Sequence, residues 1–173
     1  YPTPSIGMVG LMDDISTMMT SYFKNENDTI AVIGMPGEKP FDGLGGSEYL
    51  KIIHNMVTGD APDIFPEQEK KLINCLLEII KEKYINSAHD ISEGGIAVAL
   101  AESCIMNKLN PVGCKIKLDF TERKDFSLFS ERQNLVLISL NNSNEEKIKE
   151  ICKKHSILYE PIGVTGGKSV SIN

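Results

Sequence analysis

Ala88-His89-Asp90-Ile91-Ser92-Glu93-Gly94-Gly95-Ile96-Ala97-Val98-Ala99-Leu100-Ala101-Glu102 changes character at its middle. Residues 86–90 read as a brief extended run, Gly94-Gly95 as a sharp turn, and residues 95–106 as a helix that is apolar almost all round. A helix with no polar face is buried rather than surface-lying, so this run places a core helix directly behind a short strand. The turn between them has a chemical consequence. A helix leaves its first four N–H groups without intrahelical partners, at the positive end of its dipole. Glycine there removes the Cβ that would hold an anion away from the backbone.

Upstream, Gly43-Leu44-Gly45-Gly46-Ser47-Glu48-Tyr49-Leu50 repeats the arrangement, opening a helix predicted over residues 47–57 and closed by Thr58-Gly59-Asp60-Ala61-Pro62. Two such turns in one small domain point to phosphorylated ligands. The candidate contacts are the backbone N–H groups near Gly45, Gly46, Gly94 and Gly95, with Ser47 and Ser92 as hydroxyl donors. Asp90 is placed to orient the second turn or to meet a cation. Neither turn is a Walker A loop, because no Gly-Lys-Ser or Gly-Lys-Thr closes it. The spacing alone fits a structural turn capped by Ser47 at least as well. His89 beside Asp90 fits a hydrogen-bonded structural pair better than a general base, and His54, His89 and His155 share no ligand spacing.

Further strands are predicted at residues 5–11, 29–34, 112–118, 135–140, 158–164 and 169–172. Residues 66–84 form the clearest helix, with Leu72, Ile73, Leu76, Leu77 and Ile80 as its apolar stripe and Pro66 and early glutamates at its start. A shorter amphipathic helix spans residues 145–155, with Ile148, Ile151 and Cys152 inward. Thr165-Gly166-Gly167 reads as a hairpin turn and residues 35–40 as a Pro/Gly loop. Glu131 and Gln133, in Leu128-Phe129-Ser130-Glu131-Arg132-Gln133, offer hydrogen bonds to a ligand's ribose or amide; an exposed polar loop is the plainer reading. The irregular alternation predicts an α+β fold, one mixed β-sheet flanked by helices.

The length of 173 residues suits one domain, expected over residues 5–173 after a proline-stiffened interdomain connection at residues 1–4. Eighteen basic against 24 acidic residues give a net charge of -6, which argues against a nucleic-acid partner. No apolar run approaches the ~18–20 residues of a membrane span. Cys75, Cys104, Cys114 and Cys152 include no Cys-x-x-Cys pair, which disfavours structural zinc and points to free thiols in a reducing cytoplasm.

In order along the chain, five stretches carry a resemblance. They are Pro2-Thr3-Pro4-Ser5-Ile6-Gly7-Met8-Val9-Gly10, Leu44-Gly45-Gly46-Ser47-Glu48-Tyr49-Leu50, Gly59-Asp60-Ala61-Pro62, Ala88 through Glu102 as quoted above, and Ile162-Gly163-Val164-Thr165-Gly166-Gly167. Together they resemble the C-terminal domain type of the aminoimidazole-ribonucleotide-synthetase superfamily, and within it the phosphoribosylformylglycinamidine synthase family of purine biosynthesis. The resemblance implies a three-layer α/β/α-like domain, the last of its kind in a longer ATP- and Mg2+-dependent ligase. That ligase converts formylglycinamide ribonucleotide to the formylglycinamidine using glutamine-derived ammonia. It further implies that the partners are the remaining domains and a glutaminase domain or subunit, that the catalytic histidine and most metal ligands lie outside this chain, and that the chain alone is inactive. The alternatives are a non-catalytic docking module or a domain of a sibling ATP-dependent enzyme. The family's substrate-contacting Glu-Ser-Gln reads Glu131-Arg132-Gln133 here, with Ser130 and Leu135 where Gly and Arg are usual. Those departures imply a structural or vestigial nucleotide-facing site.

Overall fold

Two strands, β1 (Thr29–Gly34) and β4 (Leu135–Leu140), are apolar along nearly their whole length because both faces of the sheet are covered. Side chains alternate between faces, so Ala31, Ile33, Val136, Ile138 and Leu140 enter one core while Ile30 and Leu137 enter the other. The computed structural model describes residues 5–35, 43–120 and 123–173. The predicted connection at residues 1–4 and most of the Pro/Gly loop lie outside those residues.

The remaining strands are β2 (Ser87–Asp90), β3 (Cys114–Ile116), β5 (Leu158–Thr165) and β6 (Val170–Ile172), in the order β2-β4-β1-β5-β3-β6. Every pairing is antiparallel except β3 with β6. β1 and β4 run in full register from Thr29 opposite Leu140 to Gly34 opposite Leu135. On one face lie α2 (Pro66–Lys81) and α5 (Glu145–His155), contributing Leu72, Cys75, Ile79, Ile148 and Cys152. On the other lies α3 (Gly95–Ile105), contributing Ala99, Leu100 and Cys104. The predicted α+β architecture of a mixed sheet between helical layers is the observed one. Two short helices, α1 (Glu48–His54) and α4 (Lys124–Phe129), complete the fold.

Five expectations need correction. Residues 5–11 form no strand; no ladder among the described residues includes them, and Ile6, Met8, Val9 and Leu11 are exposed. The apolar face of α2 is rotated from the predicted stripe. Cys75 acts as a small hydrophobe and centres that face on Leu72, Cys75 and Ile79, leaving Ile73 and Leu77 exposed. Helix α1 stops at His54, because Asn55 takes a left-handed conformation (φ 52°) and the Met56 N–H returns to the Leu50 carbonyl. Likewise α2 ends at Lys81 instead of residue 84, with Lys83 left-handed and the Tyr84 N–H bonded to Ile79. Finally, Thr165-Gly166-Gly167 is not a hairpin turn. β5 and β6 are separated by β3, and the turn arches over Gly113, whose N–H donates to Gly167 and whose carbonyl accepts from Gly166.

Candidate functional site

The first glycine turn is built by a backbone fold-back. The Gly46 N–H donates to the Thr58 carbonyl at 2.9 Å, bringing residues 58–60 against the turn. A Cβ on Gly45 would sit 1.9 Å from the Asp60 carbonyl oxygen, so only glycine fits there. The Ser47 hydroxyl accepts from the Leu50 N–H at 3.3 Å and caps α1; the residue is 1% exposed.

The second turn follows β2. Gly94 and Gly95 both take positive φ (79° and 66°), and the Gly95 N–H closes the turn onto the Ser92 carbonyl at 3.0 Å. A Cβ on Gly95 would come within 2.7–2.8 Å of backbone atoms of Leu128, Phe129 and Ser130. That contact reveals what joins the turns: the segment leaving α4 is wedged between them.

Glu131 sits at the tip of this wedge. Its backbone N–H donates to the Gly43 carbonyl at 2.8 Å. Its carboxylate oxygen Oε1 accepts from the Glu48 N–H and from the Gly94 N–H, both at 2.8 Å. The anion that meets both glycine turns is therefore the chain's own carboxylate, in the position that helix-terminus electrostatics favours for negative charge. Bonds of an ionised acceptor to backbone N–H are among the stronger ones in proteins.

An aromatic and charged cluster fixes the wedge from the side. The Tyr49 ring stacks on Phe129 with centroids 4.9 Å apart and an interplanar angle of 4°. The Tyr49 hydroxyl donates to Asp125 at 2.9 Å, and Asp125 also pairs with Arg123. The Arg123 guanidinium, then the Tyr49 hydroxyl, hold the Asp125 carboxyl below its ordinary value, and the same carboxylate raises the Tyr49 phenol. Helix α4 and these partners have no periodic signal in the sequence, because six residues make less than two turns.

Of the residues predicted to face a ligand, Gly45, Gly46, Ser47, Gly94, Gly95 and Glu131 come together at this junction. Three of the four candidate N–H donors, those of Gly46, Gly94 and Gly95, are bonded within the chain. Asp90, Ser92 and Gln133 are exposed, and of the three only Ser92 takes part in these bonds, through its backbone carbonyl. His89 is held between the Asp90 carbonyl at 2.7 Å on Nδ1 and the Glu102 carboxylate at 3.1 Å on Nε2, linking β2 to α3. Among the described residues no group of three His, Cys, Asp or Glu side chains is arranged to hold a metal ion, and no helix is long and apolar enough to cross a membrane.

A mixed six-stranded sheet between helical layers, with two glycine-turn helices meeting on one loop, defines a three-layer α+β domain whose helix N-termini converge on an acidic residue. Residues 25–172 match the family model for the AIR synthase related protein, C-terminal domain, and the chain belongs to that family. It is 44% identical, over all of its own length, to phosphoribosylformylglycinamidine synthase subunit PurL of Caldanaerobacter subterraneus, and 36% identical to that of an Anaeromyxobacter species. The chain spans about a quarter of the length of these curated relatives, 23% in both cases. Among solved structures, it resembles T. maritima PurL complexed with FGAR, with a TM-score of 0.73 and 20% identity over 92% of this chain and 28% of that one. The ATP complex of the same protein gives 0.68. A thiamine-monophosphate kinase from Stenotrophomonas maltophilia shares the fold more distantly, with a TM-score of 0.55 and 15% identity over 90% of this chain and 52% of that one.

Proposed function

We propose that the chain is a domain of a phosphoribosylformylglycinamidine synthase, and that it supplies structure and domain contacts while the reacting groups lie elsewhere in the longer protein. In that enzyme ATP activates the formamide oxygen of formylglycinamide ribonucleotide, and ammonia from glutamine displaces it. The identity to PurL subunits along the whole chain supports the assignment. The observation that carries the division of labour is Glu131, which satisfies one N–H from each glycine turn with a carboxylate already inside the chain.

A triphosphate would need those same donors. With the Gly46, Gly94 and Gly95 N–H groups bonded internally, and no acidic cluster for a cation among the described residues, these residues do not form an ATP–magnesium cradle by themselves. ATP and magnesium accordingly belong to the remaining domains, with a glutaminase domain or subunit delivering ammonia and the cytoplasm as the place of action. The reading as a docking module is favoured by one observation of its own. Residues 5–18 expose Ile6, Met8, Val9, Leu11 and Ile15, and α1 exposes Ile52 and Ile53, side chains that would suit contact with another protein surface.

The purified chain, given formylglycinamide ribonucleotide, ammonia, ATP and magnesium, is expected to form no formylglycinamidine product. The remaining part of the enzyme is expected to turn over once the chain is added back. Product from the chain alone would overturn the proposal.

A further inference from the structure

All four cysteines fall into two pairs, one in each core. Cys75 and Cys152 join α2 to α5 with their sulfurs 3.8 Å apart; Cys104 and Cys114 join the last turn of α3 to the start of β3 at 3.7 Å. All are free thiols and all are buried. Two thiols at this separation are in contact, and a modest side-chain rotation brings them to the ~2.0 Å of a disulfide.

Surroundings separate the pairs. Cys75 and Cys152 are sealed between two helices and the sheet, at 0% and 1% exposure. Cys104 instead lines a cavity of about 450 Å³, whose wall continues through Ile105, Asn110, Val112, Lys168 and Ser169. A solute the size of hydrogen peroxide has ample room in that space, and Lys168 places a cation among its walls. Cys114, whose sulfur lies 3.7 Å from that of Cys104, is not among the residues that line the cavity. Its thiol, by hydrogen bonding, lowers Cys104 from the ordinary thiol value, while Cys114 is raised. Cys75 is lowered by Cys152 in the same way, so access from the cavity, and not acidity, separates the two pairs.

We propose that Cys104 and Cys114 form a dithiol that hydrogen peroxide oxidises through this cavity to a disulfide, while Cys75 and Cys152 stay reduced. In the first step the Cys104 thiolate attacks one peroxide oxygen and the O–O bond breaks. This leaves Cys104 as a sulfenic acid and releases hydroxide, which takes a proton to become water. In the second, the Cys114 sulfur attacks the Cys104 sulfur and loses its proton as the S–O bond breaks, and a second water leaves. Two thiols and one peroxide become one disulfide and two waters: sulfur is oxidised and peroxide oxygen is reduced. The crosslink ties the C-terminal end of α3 to β3, and the N-terminal end of α3 carries the Gly94-Gly95 turn.

The test is peptide mapping of the full folded chain after graded exposure to hydrogen peroxide, without reductant. The expected product has lost two hydrogens and yields a Cys104–Cys114 crosslinked peptide, forming about tenfold faster than any Cys75–Cys152 crosslink. Cys114→Ala should stop at Cys104 sulfenic acid, trapped by dimedone, and Cys75→Ala should leave the crosslinking rate unchanged. The wild-type map needs no variant, so a misfolded substitution does not decide the matter. Oxidation of Cys75–Cys152 first, equal rates for the two pairs, or thiols that react only after unfolding would each overturn the proposal.

Discussion

Removing the carboxylate of Glu131 should loosen both glycine turns at once. In Glu131→Ala the Glu48 and Gly94 N–H groups lose a shared acceptor at 2.8 Å each. A hydrogen bond to a charged group contributes about 1.5–3 kcal/mol, and partial access of water to this half-buried junction returns some of that. The expected loss is therefore about 2–4 kcal/mol, or roughly 4–16 °C in Tm for a domain of this size. Glu131→Gln keeps an oxygen that accepts both bonds and gives up only the charge at two helix N-termini, which puts its loss near 1 kcal/mol. Urea unfolding followed by far-UV circular dichroism separates the two variants. Acetate should recover part of the lost stability in Glu131→Ala and none in the wild type, since it restores the missing carboxylate. A Glu131→Ala chain within about 0.5 kcal/mol of wild type would refute the view that this carboxylate holds the turns together.

The two glycine positions should part company in the same assay. Gly46→Ala meets open space and bears only the left-handed backbone cost of about 1–2 kcal/mol, whereas Gly95→Ala adds a collision with residues 128–130 and should lose about 2–5 kcal/mol. Equal losses would mean that the wedge yields freely. A separate expectation concerns acid. His155 and then Lys154 hold the Glu78 carboxyl below its ordinary value, so this group stabilises the fold above the unfolded carboxylate pKa, and the contribution vanishes as pH falls through the lower folded value. Tm measured from about pH 6 down to pH 2 should fall less steeply for Glu78→Gln than for wild type, and parallel curves would contradict the assignment.

The sheet was largely legible because its strands carry their own evidence. Residues 29–34 and 135–140 are continuous apolar runs, and both appear in the structure with those bounds. Helix α5 also has its predicted limits, since its charge pattern leaves Ile148 and Cys152 as the inward pair. What escaped the sequence depends on partners distant along the chain. Residues 5–11 have strand-like composition, but ladder bonds come from a neighbouring strand and not from composition. The order that puts β3 between β5 and β6 is likewise invisible locally. At the candidate site, glycine spacing located both turns correctly. It offered no means of telling that residue 131, 83 positions beyond Glu48, supplies the anion. Tyr49, Arg123, Asp125 and Phe129 were missed for the same reason, because their stacking and hydrogen bonds exist only once α1 and α4 meet.

Glu131 closes the paired turns and occupies, among the described residues, N–H donors that a phosphate would need. Backbone amide resonances report on this closure directly, in a titration with ATP and magnesium that follows the N–H groups of Gly46, Glu48, Gly94 and Gly95. The expected result is that these four resonances stay in place at millimolar nucleotide. Saturable shifts confined to them would contradict it, showing that a nucleotide phosphate displaces the carboxylate.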